Sequence, residues 1–435
     1  MQVLIYDGSP SGDMMGERLF PMLQRQLVER GHTVEYVLLR EERLDSCKGC
    51  FGCWLKSPGI CTIDDDGRRL AAAYVRSDLV ISLTPVTFGS YSPELKRMFD
   101  RLIQNISPFF IRMHGETHHR KRYARYPDTV TIGWLDQQDE DAERQFRHLA
   151  FRNSINFHAG SSAAVVLPAL ASDADLAGEV EQLIGRIERC EKVASLTLQE
   201  RTPSGIVGDQ VRKALLLVGS PRMASSNSMA VGSYLMNRLE QKGVAIEVIH
   251  VYQALRSDAL WQKLLETIGN TDLVILCFPL YIDTLPALLL LAMRRLAAEM
   301  KPVSGKGFVA IANSGFIESS HSENALGSCA LFARQTGFEW RGSIAIGGGE
   351  GLIRRTPLDK QQGPVVPLKL ALDQVAEALS NGDLLPEEER RRIARPFVPA
   401  WLFRMAGTMQ WKKKAARSGM TDHLDDRPYL QELQG

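Results

Sequence analysis

The fold is decided by residues 213–228, KALLLVGSPRMASSNS, and by their counterpart at residues 2–16, QVLIYDGSPSGDMMG. In each stretch a short apolar run ends in Gly-Ser-Pro and leads into small polar residues that precede an amphipathic segment. This order is typical of the first strand, loop and helix of a parallel α/β sheet. The two stretches begin about 210 residues apart, which indicates that the chain carries the same kind of domain twice.

Five strands and five helices are predicted in each half. The strands of the first half are Val3–Asp7, Thr33–Leu39, Leu79–Pro85, Thr129–Leu135 and Ala163–Leu167, and its helices are Met14–Glu29, Asp66–Arg76, Pro93–Asn105, Asp139–Phe151 and Asp173–Ala194. The strands of the second half are Ala214–Gly219, Ile246–Val251, Leu273–Pro279, Phe308–Asn313 and Ser343–Ile346, and its helices are Ser228–Lys242, Asp258–Gly269, Pro286–Met300, Ser322–Thr336 and Leu368–Ser380. Strands that alternate with helices predict two doubly wound α/β domains, each with a five-stranded parallel sheet covered by helices on both faces.

The predicted boundaries follow changes in composition. We expect a first domain over residues 1–199, a linker over 200–211, a second domain over 212–385 and a helical C-terminal extension over 386–435. The extension begins with the charge block 387–392 and continues with the apolar and aromatic stretch Pro396–Trp411, which three lysines follow. Such a stretch packs on the domains or on a second subunit, or contacts an anionic membrane surface peripherally.

Composition restricts the function. The formal net charge is +1, so no overall positive field favours nucleic acid. The longest apolar window, Pro286–Met300, is too short and too charged to span a bilayer. Four of the seven cysteines fall within Cys47–Cys61, which is unlike the spread of cysteines in a disulfide-rich secreted domain. We therefore expect a reducing, cytoplasmic location.

Two loops of each domain are the expected binding site. In open parallel sheets, ligands bind beyond the carboxyl ends of the strands, where the strand order reverses. The loop 219–228 offers hydroxyls, an amide, an arginine and a helix N-terminus to a phosphate, whereas the loop 8–16 has no arginine and carries Asp13. The loops that follow the third strands, 85–92 and 279–286, combine an aromatic side chain with backbone amides, which suits a flat ring.

The chain resembles the NAD(P)H-dependent FMN reductase family of flavodoxin-like proteins. The residues that carry the resemblance are Gly219-Ser220-Pro221-Arg222 with Ser225, Asn227 and Ser228, then Pro279-Leu280-Tyr281, and Asn313-Ser314-Gly315-Phe316. The resemblance implies tandem flavodoxin-like domains, non-covalent FMN, and electrons taken from NADH or NADPH.

The resemblance also assigns the residues that contact the cofactor. In the second domain it places the FMN phosphate on Ser220, Arg222, Ser225, Asn227 and Ser228, and the isoalloxazine ring on Pro279, Leu280, Tyr281, Ile282, Asp283, Asn313, Ser314, Gly315 and Phe316. In the first domain the corresponding residues are Ser9 and Ser11 for the phosphate and Pro85, Val86, Thr87, Phe88 and Gly89 for the ring. The first domain has Ser11 in place of Arg222 and lacks the Asn-Ser pair, so its occupancy by FMN stays open.

A four-cysteine loop follows the second predicted strand. Its spacing is Cys47-x2-Cys50-x2-Cys53-x7-Cys61, and four thiolates in one loop suit a tetrahedral metal or cluster site. The loop is similar to that of iron–sulfur flavoproteins, in which a compact run of cysteines is followed by Cys-x-Ile-Asp-Asp, here residues 61–65. The resemblance implies a [4Fe–4S] cluster on Cys47, Cys50, Cys53 and Cys61. Zinc, a thiol redox switch and a metal-free loop are the alternatives.

Two further stretches carry weaker signals. The basic and aromatic residues 114–123 meet the phosphates of NAD(P)H, close over the flavin, or form a solvated surface loop. The glycine-rich residues 347–351 permit a close backbone approach to a ligand or form only a turn.

These features predict a flavin-dependent oxidoreductase. We expect a nicotinamide to donate hydride to the flavin, and the flavin to pass single electrons to a cluster and on to a small-molecule or protein acceptor. The alternatives are an electron-transfer flavoprotein that a protein partner reduces, and a non-enzymatic flavin- or metal-binding sensor or scaffold. We also expect the two domains to pair as the subunits of a dimer do, and a homodimer of the whole chain stays open.

Overall fold

The structure is a computed structural model that describes residues 1–188, Leu198, Pro203 and residues 209–430. The chain divides into two compact units: unit 1 comprises Met1–Leu198 and Arg404–Gly435, and unit 2 comprises Gln199–Phe403. Cys190, the last turns of the helix predicted over Asp173–Ala194 and most of the predicted linker lie outside the described residues. The C-terminal segment from Arg404 onward thus groups with the start of the chain rather than with unit 2.

Unit 1 is built on a parallel sheet. Its elements are β1 (Gln2–Asp7), α1 (Met15–Glu29), β2 (Thr33–Leu38), α2 (Gly52–Leu55), α3 (Gly67–Arg76), β3 (Leu79–Pro85), α4 (Pro93–Arg101), β4 (Ile106–Met113), β5 (Glu116–Lys121), β6 (Asp128–Leu135), α5 (Glu140–Asn156), β7 (Ser162–Pro168) and α6 (Asp173–Glu188). The five strands of the main sheet lie in the order β2-β1-β3-β6-β7, and every neighbouring pair is parallel.

Unit 2 repeats this arrangement. Its elements are β8 (Lys213–Val218), α7 (Asn227–Glu240), β9 (Ala245–His250), α8 (Val251–Ala254), α9 (Asp258–Gly269), β10 (Leu273–Pro279), α10 (Ala287–Glu299), β11 (Gly307–Asn313), α11 (Glu323–Thr336), β12 (Glu339–Ile346), α12 (Gly349–Leu352), α13 (Val366–Ser380) and α14 (Glu387–Ala394). The strand order is β9-β8-β10-β11-β12, again all parallel. The predicted fold class, two tandem flavodoxin-like domains with a helical C-terminal region, is confirmed.

The central strands of both sheets are almost completely buried, whereas the edge strands β2 and β9 are partly exposed. In the central strand β3, every residue from Leu79 to Thr84 is buried, as expected of a parallel strand covered on both faces. On one face, helices α1 and α6 contribute Leu19, Leu23, Leu176 and Leu183 to the core. Full burial of each such leucine contributes about 2 kcal/mol. The order 2-1-3-4-5 within each unit places the reversal between the first and third strands, where the phosphate loop begins.

Residues 106–121 form an element that the sequence did not predict. Strands β4 and β5 pair antiparallel in a two-stranded sheet, with Ile111 opposite His118. Thr117 and His118 are buried, so part of the basic stretch 114–123 belongs to packed structure rather than to a solvated loop. The hairpin extends unit 1 beyond the α/β pattern that the two units share.

The C-terminal region is helical. After α14 come α15 (Ala400–Ala416) and a 3₁₀ turn at Thr421–His423. Among the described residues, no helix is both long and apolar enough to cross a lipid bilayer.

Candidate functional site

The loop between β8 and α7 in unit 2 is shaped to receive an anion. Gly219 begins it, and a Cβ atom there would lie 2.7 Å from Leu289 Cδ2, so only glycine lets α10 pack on the loop. Ser226 is the N-cap of α7, and its hydroxyl accepts a hydrogen bond from the Met229 amide. The first N–H groups of a helix have no partner within the helix, so the start of α7 favours a phosphate.

The predicted phosphate residues meet an acid that the sequence analysis did not single out. Glu350, from the glycine-rich turn after β12, places Oε2 3.5 Å from Arg222 Nη1. Asn227 donates from Nδ2 to the same oxygen at 3.4 Å, and its Oδ1 accepts from the Arg355 amide at 2.7 Å. Ser225 lies exposed in a 3₁₀ turn. The side chains of Arg222 and Asn227 therefore converge, with Glu350 between them.

Asn313 connects the phosphate loop to the predicted ring-binding residues. Its Nδ2 donates to Ser228 Oγ and to the Phe278 carbonyl, both at 2.9 Å. The Leu280 amide donates to the Asn313 carbonyl at 2.9 Å. Ser314, the next residue, donates from its hydroxyl to the Phe316 carbonyl at 2.7 Å. The three predicted segments of unit 2 are thus brought to one edge of the sheet.

The loops after β3 and β10 share an unusual backbone conformation. In unit 2, Ile282 and Asp283 have φ angles of 48° and 55°, between the bridged residues Tyr281 and Thr284. In unit 1, Phe88 and Gly89 have φ angles of 50° and 70° within an equivalent bridged turn. A β-branched residue such as Ile282 rarely adopts positive φ, and such strain concentrates at ligand-binding positions.

A buried histidine braces the unit 2 turn. His321 Nδ1 lies 3.2 Å from Asp283 Oδ1, and both side chains are buried. The His321 ring also lies 4.7 Å from the ring of Phe316, measured between centroids. Because Asp283 follows β10 and Phe316 follows β11, His321 contacts both loops that the sequence assigned to the flavin ring. It lies just past the quoted motif, which is why the sequence analysis passed over it.

In unit 1, the loop between β1 and α1 corresponds to the phosphate loop of unit 2, and a carboxyl group of the protein accepts hydrogen bonds from its donors. Asp7, at the end of β1, is fully buried, and its Oδ1 accepts from the amide and the hydroxyl of Ser9 at 2.7 and 2.5 Å. Its Oδ2 accepts from the Tyr36 hydroxyl at 2.6 Å. A Cβ at Gly16, the first full turn of α1, would lie 2.1 Å from Asp7 Oδ2. A carboxylate therefore lies at the base of this loop and uses the groups that a phosphate needs.

A second carboxylate lies at the start of α1. Asp13 Oδ1 accepts from the Met15 amide at 2.9 Å, and Asp13 Oδ2 accepts from Trp134 Nε1 at 2.9 Å. Ser11 is exposed. Of the predicted ring residues, Phe88 is buried, its carbonyl accepts from Gln145 Nε2 at 3.2 Å, and the Val86 amide donates to the Trp134 carbonyl. Two carboxyl groups therefore occupy the phosphate end of this loop.

The four cysteines of unit 1 line a single cavity. Its other lining residues are Lys48, Gly49, Phe51, Ile63, Arg101 and Ile103. The Gly49 amide donates to Cys47 Sγ and the Gly52 amide donates to Cys50 Sγ, each at 3.4 Å. Amides that point at cysteine sulfurs tune iron–sulfur clusters. None of the described cysteines forms a disulfide. The donor set and its backbone amides fit a metal or cluster bound by four thiolates.

The backbone of the loop is folded tightly around that cavity. Gly49, Phe51 and Gly59 have φ angles of 60°, 57° and 89°, in the left-handed region. A Cβ at Gly52 would lie 2.6 Å from Thr62 Cγ2, so the chain passes closely over the residues that follow Cys61. These turns bring Cys61 back to the first three cysteines.

Burial controls the cysteine thiols. Desolvation raises the pKa of Cys47 to about 12 and also raises the pKa of Cys53. A bound metal deprotonates the thiols that coordinate it. Cys50 is exposed, and Cys47 and Cys61 are half-buried.

Two buried arginines lie beside the cysteines. Arg101 lines the cavity and pairs with Asp65, with its two Nη atoms 2.7 and 2.8 Å from the carboxylate oxygens. Asp65 also accepts from the amides of Asp45 and Gly67. Although burial opposes it, the Arg101 hydrogen bonds hold the pKa of Asp65 low. Arg122 is buried near Cys53. Two arginine side chains thus lie beside the cysteines, and one of them is already paired with a carboxylate.

The chain belongs to the NADPH-dependent FMN reductase family. The family model matches residues 1–125 and 212–333, together more than half of the chain, so the match falls once in each unit. This confirms the predicted tandem arrangement and places the protein in a family of flavin-dependent oxidoreductases.

Iron–sulfur flavoproteins are among its relatives. One from Methanosarcina thermophila is 29% identical over 103 residues, which is 24% of this chain and 53% of the relative. One from Methanocaldococcus jannaschii is 32% identical over 101 residues, 23% of this chain and 51% of the relative. The chain thus spans about half the length of the curated relatives it matches.

Two solved structures match part of the chain. An NAD(P)H:quinone oxidoreductase from Methanothermobacter marburgensis is 16% identical, covers 43% of this chain and 97% of its own, and gives a TM-score of 0.35. An FMN-dependent NADH-azoreductase from Bacillus anthracis in complex with FMN is 15% identical and gives a TM-score of 0.28. The match covers 39% of this chain and 99% of the azoreductase chain.

Proposed function

We propose that the chain is an NAD(P)H-dependent oxidoreductase that binds FMN in unit 2 and a [4Fe–4S] cluster in unit 1. The observation that carries the proposal is the cavity lined by all four cysteines, with amides directed at two of the sulfurs. The names of the iron–sulfur flavoproteins among the relatives support the cluster over zinc.

We assign the flavin to unit 2 because the loop between β8 and α7 offers a cationic side chain and backbone amides to the phosphate. Arg222, Ser220 and the start of α7 offer charge and hydrogen bonds to the phosphate, and Asn313 fixes the loop through Ser228. In unit 1, Asp7 and Asp13 already accept from the corresponding donors. The expectation that Ser9 and Ser11 also bind FMN stays a prediction, and the geometry of these two aspartates argues against it.

The side chains position and tune rather than react. Bound FMN supplies hydride acceptance and single-electron release, and the cluster supplies one-electron storage. In unit 2, the turn at Ile282 and Asp283, which His321 contacts, would present backbone groups to the flavin ring. In unit 1, Arg101 and Arg122 would stabilise the charge of thiolates that hold the cluster. The electron donor is a nicotinamide, and the acceptor is a small molecule or a protein.

The proposal is tested by analysis of the protein purified without oxygen. We expect one FMN, four iron and four sulfide per chain, and bleaching of the flavin band on addition of NADPH or NADH. Cys47→Ser should remove the iron and leave the FMN, whereas Cys329→Ser in unit 2 should change neither. Zinc without iron in the purified protein would overturn the proposed [4Fe–4S] cluster and indicate a zinc site at the four cysteines. Reduction by a protein partner but not by either nicotinamide would favour an electron-transfer flavoprotein.

A further inference from the structure

The C-terminal segment of unit 1 lies directly on the cysteine loop. Trp411, in α15, meets the rings of Phe51 and Trp54 edge to face, with centroids 5.2 Å apart in each case. Phe51 and Trp54 flank Cys53 in the sequence and stack on each other. Trp54 is itself fixed, since its Nε1 donates to the carbonyls of Ile103 and Ile106. An aromatic layer therefore covers one side of the loop.

The segment closes on the loop again after the 3₁₀ turn. A Cβ at Gly59 would lie 2.6 Å from Pro428 Cδ, so proline and glycine are in direct contact between Cys53 and Cys61. This contact requires glycine at position 59, whose φ is also 89°. The segment thus packs on the part of the loop that separates the third cysteine from the fourth.

One buried side chain joins the segment to a cysteine. Gln104 Oε1 accepts from the Cys61 amide at 2.8 Å and from the Tyr429 hydroxyl at 2.7 Å. Its Nε2 donates to the Arg101 carbonyl at 3.0 Å. Gln104 is fully buried, and Tyr429 stacks on Tyr123. The position of Cys61 is therefore coupled to Tyr429, which lies far along the sequence.

Arg122 is held in place by the same segment. Its Nη1 donates to the carbonyls of Leu424 and Asp426 at 3.2 and 2.6 Å, and its side chain is buried. A buried guanidinium that is held by backbone carbonyls keeps its charge while losing contact with water. The C-terminal segment thus holds a cation beside Cys53 and excludes solvent.

We propose that residues 411–429 form a cover over the cysteine loop, which shields the cluster from water, oxygen and chelators and fixes Cys61 through Gln104. Cys50 remains exposed, so the cover closes the side of Cys53 and Cys61 and leaves the other side accessible. This inference rests on the proposed function for the cluster. The cover itself, however, also exists in the cluster-free chain, which allows it to be tested separately.

The first experiment measures thiol access in the chelator-treated full chain. Alkylation by iodoacetamide is followed for each cysteine by mass spectrometry, and the full chain is compared with one that ends at Gly419. Loss of several buried contacts should speed alkylation of Cys53 and Cys61 about tenfold. Cys277 and Cys329, buried in unit 2, should keep their rates. The proposal would be overturned if Cys53 and Cys61 were each alkylated at the same rate in the truncated chain as in the full chain.

A milder variant is needed in case the truncation unfolds unit 1. Tyr429→Phe removes only the hydroxyl that donates to Gln104, and Tyr234→Phe removes a comparable hydroxyl in unit 2. Loss of one hydrogen bond should speed alkylation of Cys61 about fivefold without changing Cys50. In the protein with its cluster, the visible absorbance should decay faster in air by a similar factor, and the cluster's spectroscopic signature should shift.

The outcomes separate the cover from the cluster. Faster alkylation of Cys61 in Tyr429→Phe, with no iron in any preparation, would support the cover and overturn the cluster. Iron at four per chain with Cys61 alkylation and cluster decay both unchanged in Tyr429→Phe would overturn the cover and leave the proposed function standing. Tyr234→Phe should match the parent protein in every readout.

Discussion

Ser9 donates both its backbone amide and its hydroxyl to one oxygen, Asp7 Oδ1, at 2.7 and 2.5 Å. In unit 2 the residue at the place of Asp7 is Val218, and the described loop that follows, residues 219–228, contains no Asp or Glu. The two loops that share Gly-Ser-Pro therefore differ in what faces the serine: Asp7 accepts from Ser9, whereas Glu350 contacts Arg222 and Asn227 of the other loop. This difference predicts that the chain binds one flavin rather than two.

Matched serine variants test that prediction. Ser220→Ala should weaken FMN binding about tenfold, because a hydrogen bond to a charged phosphate contributes about 1.5–3 kcal/mol. Ser9→Ala should leave FMN binding unchanged. Quenching of flavin fluorescence on titration measures both affinities. An equal loss in the two variants, or a stoichiometry of two FMN per chain, would contradict the assignment to unit 2.

Glu350 should oppose the phosphate. Its carboxylate lies 3.5 Å from Arg222 and accepts from Asn227, so a dianionic phosphate bound there meets a like charge. Glu350→Gln should therefore tighten FMN binding about fivefold, and the gain should shrink as salt is added. Titrations at low and high ionic strength measure it, with the exposed Glu266→Gln as control. Weaker binding in Glu350→Gln would show that Glu350 positions Arg222 instead.

The buried ion pair of Asp65 and Arg101 should be required for iron retention. Removal of one partner of a buried pair costs about 3–5 kcal/mol, because the other charge stays buried. Asp65→Asn should lower the iron content and the denaturation temperature while FMN content stays the same. The neighbouring Asp64→Asn breaks only an exposed ion pair with Arg68, so it should change the iron content and the denaturation temperature by little. Normal iron content in Asp65→Asn would contradict the role given to Arg101.

Unit 1 should lose stability in mild acid. Burial lowers the pKa of His119 to about 3 and that of His158 to about 4, from 6.5. As the pH falls below 6.5, these two histidines take up protons in the unfolded chain before they do so in the folded protein. The free energy of unfolding therefore decreases as the pH decreases. The contribution is complete above pH 6.5 and falls by about 1.4 kcal/mol per pH unit for each histidine down to the folded pKa.

Urea unfolding at pH 7.5 and pH 5 measures this loss. His119→Gln should reduce the number of protons taken up on unfolding between these pH values by one. The same pH dependence in the parent protein and in His119→Gln would contradict the low pKa of His119.

The strands and the site loops could be predicted because their signals are local. A buried parallel strand such as Leu79–Pro85 is apolar along its length, and Gly-Ser-Pro marks the loop that follows the first strand. The cysteine spacing is likewise contained in fifteen residues, Cys47 to Cys61. Each of these patterns requires no knowledge of what packs against it.

The remaining features depend on residues that are distant in sequence. Asp7 is held at the base of its loop partly by Tyr36, which donates to it from another strand. Glu350 reaches Arg222 from 128 positions away, and the contact of Tyr429 with Gln104 spans 325 positions. The hairpin β4–β5 was missed because its charged residues hide the alternation. Pairings of this kind follow from the finished fold rather than from any local pattern.

The grouping of Arg404–Gly435 with Met1–Leu198 has a consequence for biosynthesis. The cysteine loop leaves the ribosome early, but the residues that cover it are translated only after all of unit 2. During that interval the thiols are open to the machinery that assembles clusters, and also to oxidants. A cluster of the kind proposed here would therefore have its freest access to the cysteines between the synthesis of Cys61 and the docking of Tyr429, so the order of translation would set the period for its insertion.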